Sequence, residues 1–321
     1  MALWIDIFRN RVFMGFIGKD AWRIKERKRK NMSQAVRQQL APGKFKLLRH
    51  GQTHYQLAGN PTGPLLVCIH GWTTASYVWE QLRDEFVNLG YQVLTYDLYG
   101  RNFSDRPPNV THTADLYSDQ LTELLEQLGL SQRRLNVVGY SMGGAIAAHF
   151  VNKRIADVDR LLLIAPAGME VRAPKVRSIA FENPDLFEPH VLLALPVPLR
   201  WQFRRAAFGF WSKKPVREVR RKQFRELGYK GYVPALLASL KGVLARKMGD
   251  EHQRIAERDS ISVKALFADG DRTIPWPDAK TLFDEWNPNN VSVRIHGAGH
   301  GLTYTHVEQI MQEVHGFMDL G

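Results

Sequence analysis

The chain has one cysteine in 321 residues. Cys68 sits inside the apolar run Pro64-Leu65-Leu66-Val67-Cys68-Ile69, the place of a small core residue. No disulfide can form within the chain, which excludes a disulfide-stapled scaffold and suits a reducing compartment. Long uncharged hydrophobic runs are also lacking. The apolar opening, residues 1–17, is broken by Asp6, Arg9 and Arg11, too short and too charged to cross a bilayer. A secretory signal carries its positive charges before the apolar stretch, whereas here Arg23, Lys25, Arg27, Lys28, Arg29 and Lys30 follow it. Asp6, Asp20 and Glu26 disfavour a transit peptide. The expected location is cytoplasmic, with neither a signal peptide nor a transmembrane helix. No His, Cys and Asp cluster has metal-ligand spacing, and the glycines near 139–144 do not form a dinucleotide loop, so neither a metal nor an organic cofactor is expected.

Positive charge is abundant but uneven. The net charge is +12, from 44 Lys and Arg against 32 Asp and Glu. Residues 1–44 hold 11 basic and 3 acidic residues, and residues 169–258 hold 19 and 9. The remainder is therefore acidic, with a net charge of −6. No nucleic-acid motif accompanies the basic pieces, so nucleic acid is not an expected partner. An apolar segment followed by a polybasic run has the composition of an interfacial anchor on anionic lipid. Arg11 falls among Trp4, Ile7 and Gly15 on a helical wheel, so the apolar face is not clean. The alternatives are an arm that packs on the cap or an oligomer partner, and disorder.

With 44% hydrophobic residues, the chain is long enough for one large core with a subdomain. Phe45–Arg49 and Thr53–Gln56 read as an opening hairpin. Strands follow near 65–70, 92–97, 135–139, 160–165, 263–268 and 291–295. Between and after them lie helical patterns at Ser76–Leu89, Thr113–Leu128, Gly144–Asn152, Pro277–Trp286 and Thr305–Leu320. Alternating strands and helices predict an α/β fold, a mainly parallel eight-stranded sheet with helices on both faces. About ninety residues, Met169 to Arg258, interrupt the rhythm between two strands. That is too long for a bare loop. It holds helical stretches at Pro215–Leu227 and Val233–Lys247, punctuated by Pro174, Pro184, Pro189, Pro196 and Pro198. The chain thus divides into an arm (1–44), a core (45–168 and 259–321) and an inserted segment (169–258).

The stretch Leu135-Asn-Val-Val-Gly139-Tyr140-Ser141-Met142-Gly143-Gly144 runs from an apolar strand into a small-residue helix. Gly-x-Ser-x-Gly in that setting is a nucleophile elbow, a turn so sharp that Ser141 is strained and its Oγ exposed. The partners follow in the order acid, then histidine. Val263–Ala268 leads into Asp269-Gly270-Asp271-Arg272-Thr273-Ile274-Pro275, and Val291–Ile295 leads into His296-Gly297-Ala298-Gly299-His300-Gly301. Both loops lie past strand C-terminal ends, where open α/β sheets assemble their sites. His300 would take the Ser141 proton, and Asp271 would orient it. Asp269, next to the strand, is expected to cap the turn, and His296 to be structural. Upstream, Pro64–Ile69 leads into His70-Gly71-Trp72-Thr73-Thr74. The Trp72 and Met142 N–H groups would form an oxyanion hole, with His70 holding loop backbone.

With Asp97-Leu98-Tyr99-Gly100-Arg101-Asn102-Phe103-Ser104, these motifs resemble the α/β-hydrolase superfamily over about residues 45–321. The resemblance implies that the insertion is a helical cap over the site. Within the superfamily the chain is similar to single-domain esterases, lipases and C–C bond hydrolases. Ser at 141 and Thr at 74 depart from the epoxide hydrolase and dehalogenase branches, and Tyr140 stands where C–C bond hydrolases often carry Asn. The implied activity is hydrolysis of carboxylic esters with an apolar part. Alternatives are C–C bond, thioester or lactone hydrolysis by the same residues, or a catalytically silent binding protein. In the cap, Val191–Leu199 is apolar, bordered by Arg200, Arg204 and Arg205, and followed by Phe203, Phe208, Phe210 and Trp211. Packing onto the core accounts for most of these. A pocket lining drawn from Tyr140, Leu192, Phe203, Phe208 and Trp211 is the sharper expectation. The sequence leaves the oligomeric state open.

Overall fold

The computed structural model describes residues 21, 23–169, 196–207 and 209–318. Leu192 and Phe208 lie outside them. The strands are β1 (Lys44–Leu48), β2 (Gly51–Ala58), β3 (Leu65–Ile69), β4 (Gln92–Tyr96), β5 (Leu135–Tyr140), β6 (Val158–Ile164), β7 (Ser262–Ala268) and β8 (Val291–Ile295). They form one sheet in the order β1-β2-β4-β3-β5-β6-β7-β8. β1 and β2 form the expected antiparallel hairpin, β2 joins β4 antiparallel, and every other pair is parallel. From β3 the chain steps outward to β4 and then returns to β5 on the other side of β3. That reversal opens a crevice at the C-terminal ends of β3 and β5, where ligands bind in such sheets.

Burial on both faces explains the unbroken apolar strands. Leu65, Val67 and Ile69 pack with the helices of one layer, Leu66 and Cys68 with those of the other. The first layer contains α3 (Ala114–Gln127), α4 (Met142–Lys153), α8 (Gly249–Ala256) and α9 (Trp276–Trp286). The second contains α2 (Glu80–Asn88), α10 (Leu302–Thr305) and α11 (Val307–Val314). Thr113 caps α3, its hydroxyl accepting the Leu116 N–H at 3.2 Å.

Three helices differ from the pattern read in sequence. The stretch 76–89 opens as a 3₁₀ turn, Ser76–Trp79, before α2. The pattern Val233–Lys247 divides into α7 (Tyr232–Lys241) and a 3₁₀ turn, Val243–Ala245. At Gly242 the backbone leaves the helix (φ −98°, ψ −107°), and a Cβ there would lie 2.2 Å from the His112 carbonyl oxygen. That carbonyl accepts the Val243 N–H at 2.9 Å, so a tertiary contact overrides helical continuity. The C-terminal pattern from Thr305 to Leu320 breaks at His306 and ends at Val314. His306 leaves the helical region (φ −131°, ψ 42°), and its ring pairs with the Thr305 hydroxyl at 2.8 Å.

Between β6 and β7 the described helices are α5 (Pro196–Arg205), α6 (Lys214–Glu226), α7 and α8. Leu199, Phe203, Leu227, Tyr232, Val233, Leu236 and Leu237 form a separate apolar cluster of the insertion. By contrast Met248 and Ile255, at the α8 end, are buried with β5 and β6. α8 is also tied to the body by His149, whose ring nitrogens meet Asp115 of α3 at 2.9 Å and Glu251 of α8 at 3.1 Å.

The described part of the arm packs on this body. α1 (Gln34–Leu40) is capped by Ser33. Arg37 is buried, its Nε donating to the Phe103 carbonyl at 2.8 Å and its guanidinium pairing with Asp105. Lys30 bridges Tyr229 through backbone hydrogen bonds, and Glu26 accepts the Gly231 N–H at 2.6 Å. No described helix is long and apolar enough to cross a membrane.

Candidate active site

Ser141 stands at the end of β5 with φ 54° and ψ −120°, a conformation costly for any residue with a Cβ. The turn is held by its own backbone. Ser141 N–H donates to the Ile164 carbonyl at 3.0 Å, and the Ser141 carbonyl accepts from Gly144 and Ala167 N–H, each at 2.8 Å. Glycine is required beside it by close approach. A Cβ at Gly143 would lie 2.1 Å from the Ile69 carbonyl oxygen, and one at Gly139 would lie 2.5 Å from that of Gly143.

Three side chains from three strand ends form one hydrogen-bonded chain. Ser141 Oγ lies 2.9 Å from His300 Nε2, and His300 Nδ1 lies 2.6 Å from Asp271 Oδ2. Asp271 is buried, and its Oδ1 accepts the Thr273 and Ile274 N–H groups at 2.7 and 3.0 Å. The turn cap expected of Asp269 is thus supplied by Asp271. Asp269 instead reaches the neighbouring loop, accepting the Gly297 N–H at 2.9 Å and facing Arg294 at 3.3 Å and His296 at 3.4 Å. Its place next to the strand points it sideways along the sheet edge, toward the end of β8. The His296 side chain is largely exposed.

The loop after β3 is pinned one carbonyl at a time. His70 is fully buried; its Nδ1 meets the Gly71 carbonyl at 2.8 Å and its Nε2 accepts the Leu98 N–H at 2.9 Å. Those contacts assign the proton to Nδ1, and burial pushes the imidazole down to about 4, so it is neutral near pH 7. The Trp72 carbonyl accepts from Arg101 Nε at 2.6 Å, and the Thr73 carbonyl from Tyr232 OH at 3.2 Å and Gln223 Nε2 at 3.3 Å. Holding the Gly71 carbonyl fixes the peptide that carries the Trp72 N–H. Among the described residues neither the Trp72 nor the Met142 N–H has an acceptor. The Met142 N–H opens α4, where a helix leaves its first amides free for a ligand.

The expected pocket residues separate. Tyr140 is buried and donates its hydroxyl to the His300 carbonyl at 2.7 Å; it backs the histidine loop and does not line open space. Phe203 is fully buried in the insertion's own cluster, edge-on to Phe224 at 5.6 Å, with Trp72 packed on the same cluster. Trp211 is 44% exposed, its indole N–H bonded to the Arg204 carbonyl and its ring under Arg220. The insertion does touch the site: Gly301 N–H donates to the Ala206 carbonyl at 3.0 Å, just past α5.

Glu226 escaped the sequence reading. It is buried on α6 and accepts Tyr77 OH at 3.0 Å and the Asn102 N–H at 2.6 Å. Burial pushes its carboxyl up to about 7 against the pull of Arg106. Asn102 takes φ 40° inside the Asp97–Ser104 motif, a visible sign of a held backbone, but the holder is remote in sequence. Asp97 gathers His54 at 2.8 Å and the Ser76 N–H at 2.9 Å. Burial opposes its charge, but His54, His70 and these hydrogen bonds bring the carboxyl well below the usual range.

The profile of the family described as alpha/beta hydrolase fold matches residues 64–307. Among curated proteins, the AB hydrolase superfamily protein YfhM of Bacillus subtilis is 31% identical over 112 residues, 35% of this chain and 38% of that protein. The first curated relatives are matched over less than half their length. Among solved structures, a bromoperoxidase from Bacillus anthracis superposes with a TM-score of 0.67 at 21% identity, covering 83% of this chain and 95% of that one. An esterase from Exiguobacterium antarcticum gives 0.68 at 17%, covering 87% and 100%. The structural likenesses concern the fold. The chain belongs to the alpha/beta hydrolase fold family.

Proposed function

We propose that this chain is a serine hydrolase that cleaves carboxylic esters with an apolar acyl or alcohol part through an acyl-enzyme. One observation carries the reading: Ser141 Oγ, His300 and Asp271 stand in a continuous hydrogen-bonded line of 2.9 and 2.6 Å at the sheet's crevice. Ser141 Oγ attacks the ester carbonyl carbon while His300 Nε2 takes its proton. Asp271 holds the ring by its Nδ1 and offsets the imidazolium charge. The Met142 and Trp72 N–H groups receive the tetrahedral oxyanion. His300 then protonates the departing alcohol, and the same nitrogen activates water to release the acid.

A series of nitrophenyl esters of graded acyl length tests the substrate class. The reading expects turnover that rises from acetyl to medium chains. No turnover of any nitrophenyl ester, with turnover of a thioester or lactone, would move the activity to that other substrate class.

A further inference from the structure

The outer face of the insertion combines cations with exposed indoles. Residues 196–227 carry ten Lys and Arg against two Asp and Glu, and one of the two acids, Glu226, is buried. The other, Glu218, lines a cleft with Gln81 and Tyr304 on the body side. Arg200, Arg204, Arg217 and Arg221 are exposed. On α5, Trp201 is 62% exposed, one turn from Arg204. Trp211, 44% exposed, is joined to the same turn by its bond to the Arg204 carbonyl. Among the described residues these are the two exposed large aromatic side chains. On α6 the buried Val216, Val219, Gln223 and Glu226 face inward, so Arg217 and Arg221 share the outward face.

We propose that this face docks on an anionic lipid bilayer. Cations alone fit any acidic partner, but an indole gains most at the boundary between lipid headgroups and acyl chains. Charge separation sets the orientation: a basic insertion on an acidic body turns the insertion toward an anionic surface. The bond from Gly301 to Ala206 joins the His300 loop to the C-terminal end of α5. A docked molecule would therefore hold its serine close to the bilayer, where apolar esters partition. That last role rests on the ester-hydrolase reading; the docking does not.

The full chain is tested with vesicles of phosphatidylcholine alone and of phosphatidylcholine with phosphatidylglycerol. Binding to the mixed vesicles, weakened by salt, and quenching of Trp201 by brominated lipid are expected. The variant Arg200→Glu, Arg204→Glu, Arg221→Glu, with the arm intact, should bind at least about 10²-fold more weakly, since each basic residue near the surface contributes roughly fivefold. Trp201→Phe should lose part of the quenching. Unchanged binding by the triple variant overturns the proposal and leaves the arm as the contact. Binding without indole quenching also overturns it, because a purely ionic face fits an acidic protein or nucleic acid equally. Turnover of a soluble ester by the same preparations separates the two readings. Retained turnover with lost binding leaves Ser141 untouched, and absent turnover with retained binding removes the ester reading alone.

Discussion

Tyr140 donates its hydroxyl to the backbone carbonyl of His300 at 2.7 Å, so the residue before Ser141 holds the histidine whose Nε2 lies 2.9 Å from the Ser141 hydroxyl. The two rings lie 5.5 Å apart and tilted by 36°. β5 thereby fixes both ends of the Ser141–His300 contact. Tyr140→Phe keeps the ring and removes the bond. It should lower kcat by about tenfold, through misplacement of His300, at a stability cost of about 1 kcal/mol. Parallel steady-state kinetics and thermal melts check this; an unchanged kcat would leave Tyr140 as packing alone.

The two aspartates of the loop after β7 have distinct partners, and their variants should differ accordingly. Asp271→Asn should reduce kcat on the order of 10⁴-fold with the fold intact, because the amide favours the wrong histidine tautomer. Asp269→Asn weakens contacts to Gly297 and Arg294 and should change kcat far less. Kinetics of the two variants side by side decide the assignment, and the reverse ranking would transfer the acid role to Asp269.

Glu226 makes stability depend on pH. Its folded value, about 7, lies above the ordinary 4.5, so between these two values the folded chain holds a proton that the unfolded chain has released. Stability due to this group is full below about 4.5 and falls as pH rises to about 7. Glu226→Gln mimics the protonated form and does not titrate. Its stability relative to the native chain should therefore rise between about pH 5 and about pH 8, by an amount on the order of 3 kcal/mol at most, read from melts across that range. A difference independent of pH would mean that Glu226 is ionised in the fold throughout.

Gly143→Ala should prevent the native elbow from forming, since the added carbon meets the Ile69 backbone and not a side chain that can turn away. Soluble expression and thermal melts report it. A folded, active Gly143→Ala protein would show that the turn has room which the packing around Ile69 denies.

The sheet was legible because each strand is a short apolar run ended by turn residues, and the candidate site because its three members each follow such a run. Ser141 was marked by its glycines, and Asp271 and His300 by their places after β7 and β8. What stayed hidden depends on contacts between remote segments. The break at Gly242 follows from His112, which no local pattern reveals. Tyr140 reads as a lining residue until its hydroxyl is seen on His300. Glu226 looks like one more helix charge, and its meeting with Asn102 joins residues 124 positions apart. Asp269 and Asp271 differ by two positions in sequence, yet one carboxylate meets the start of the loop after β8 at Gly297 and the other meets His300 further along the same loop.

The serine-hydrolase reading is tested most directly by covalent labelling at Ser141. A fluorophosphonate should attach to Ser141, identified by mass spectrometry of the labelled peptide. Ser141→Ala should lose both the label and ester turnover, the latter by a factor on the order of 10⁶. Labelling or turnover that persists in Ser141→Ala would contradict the account.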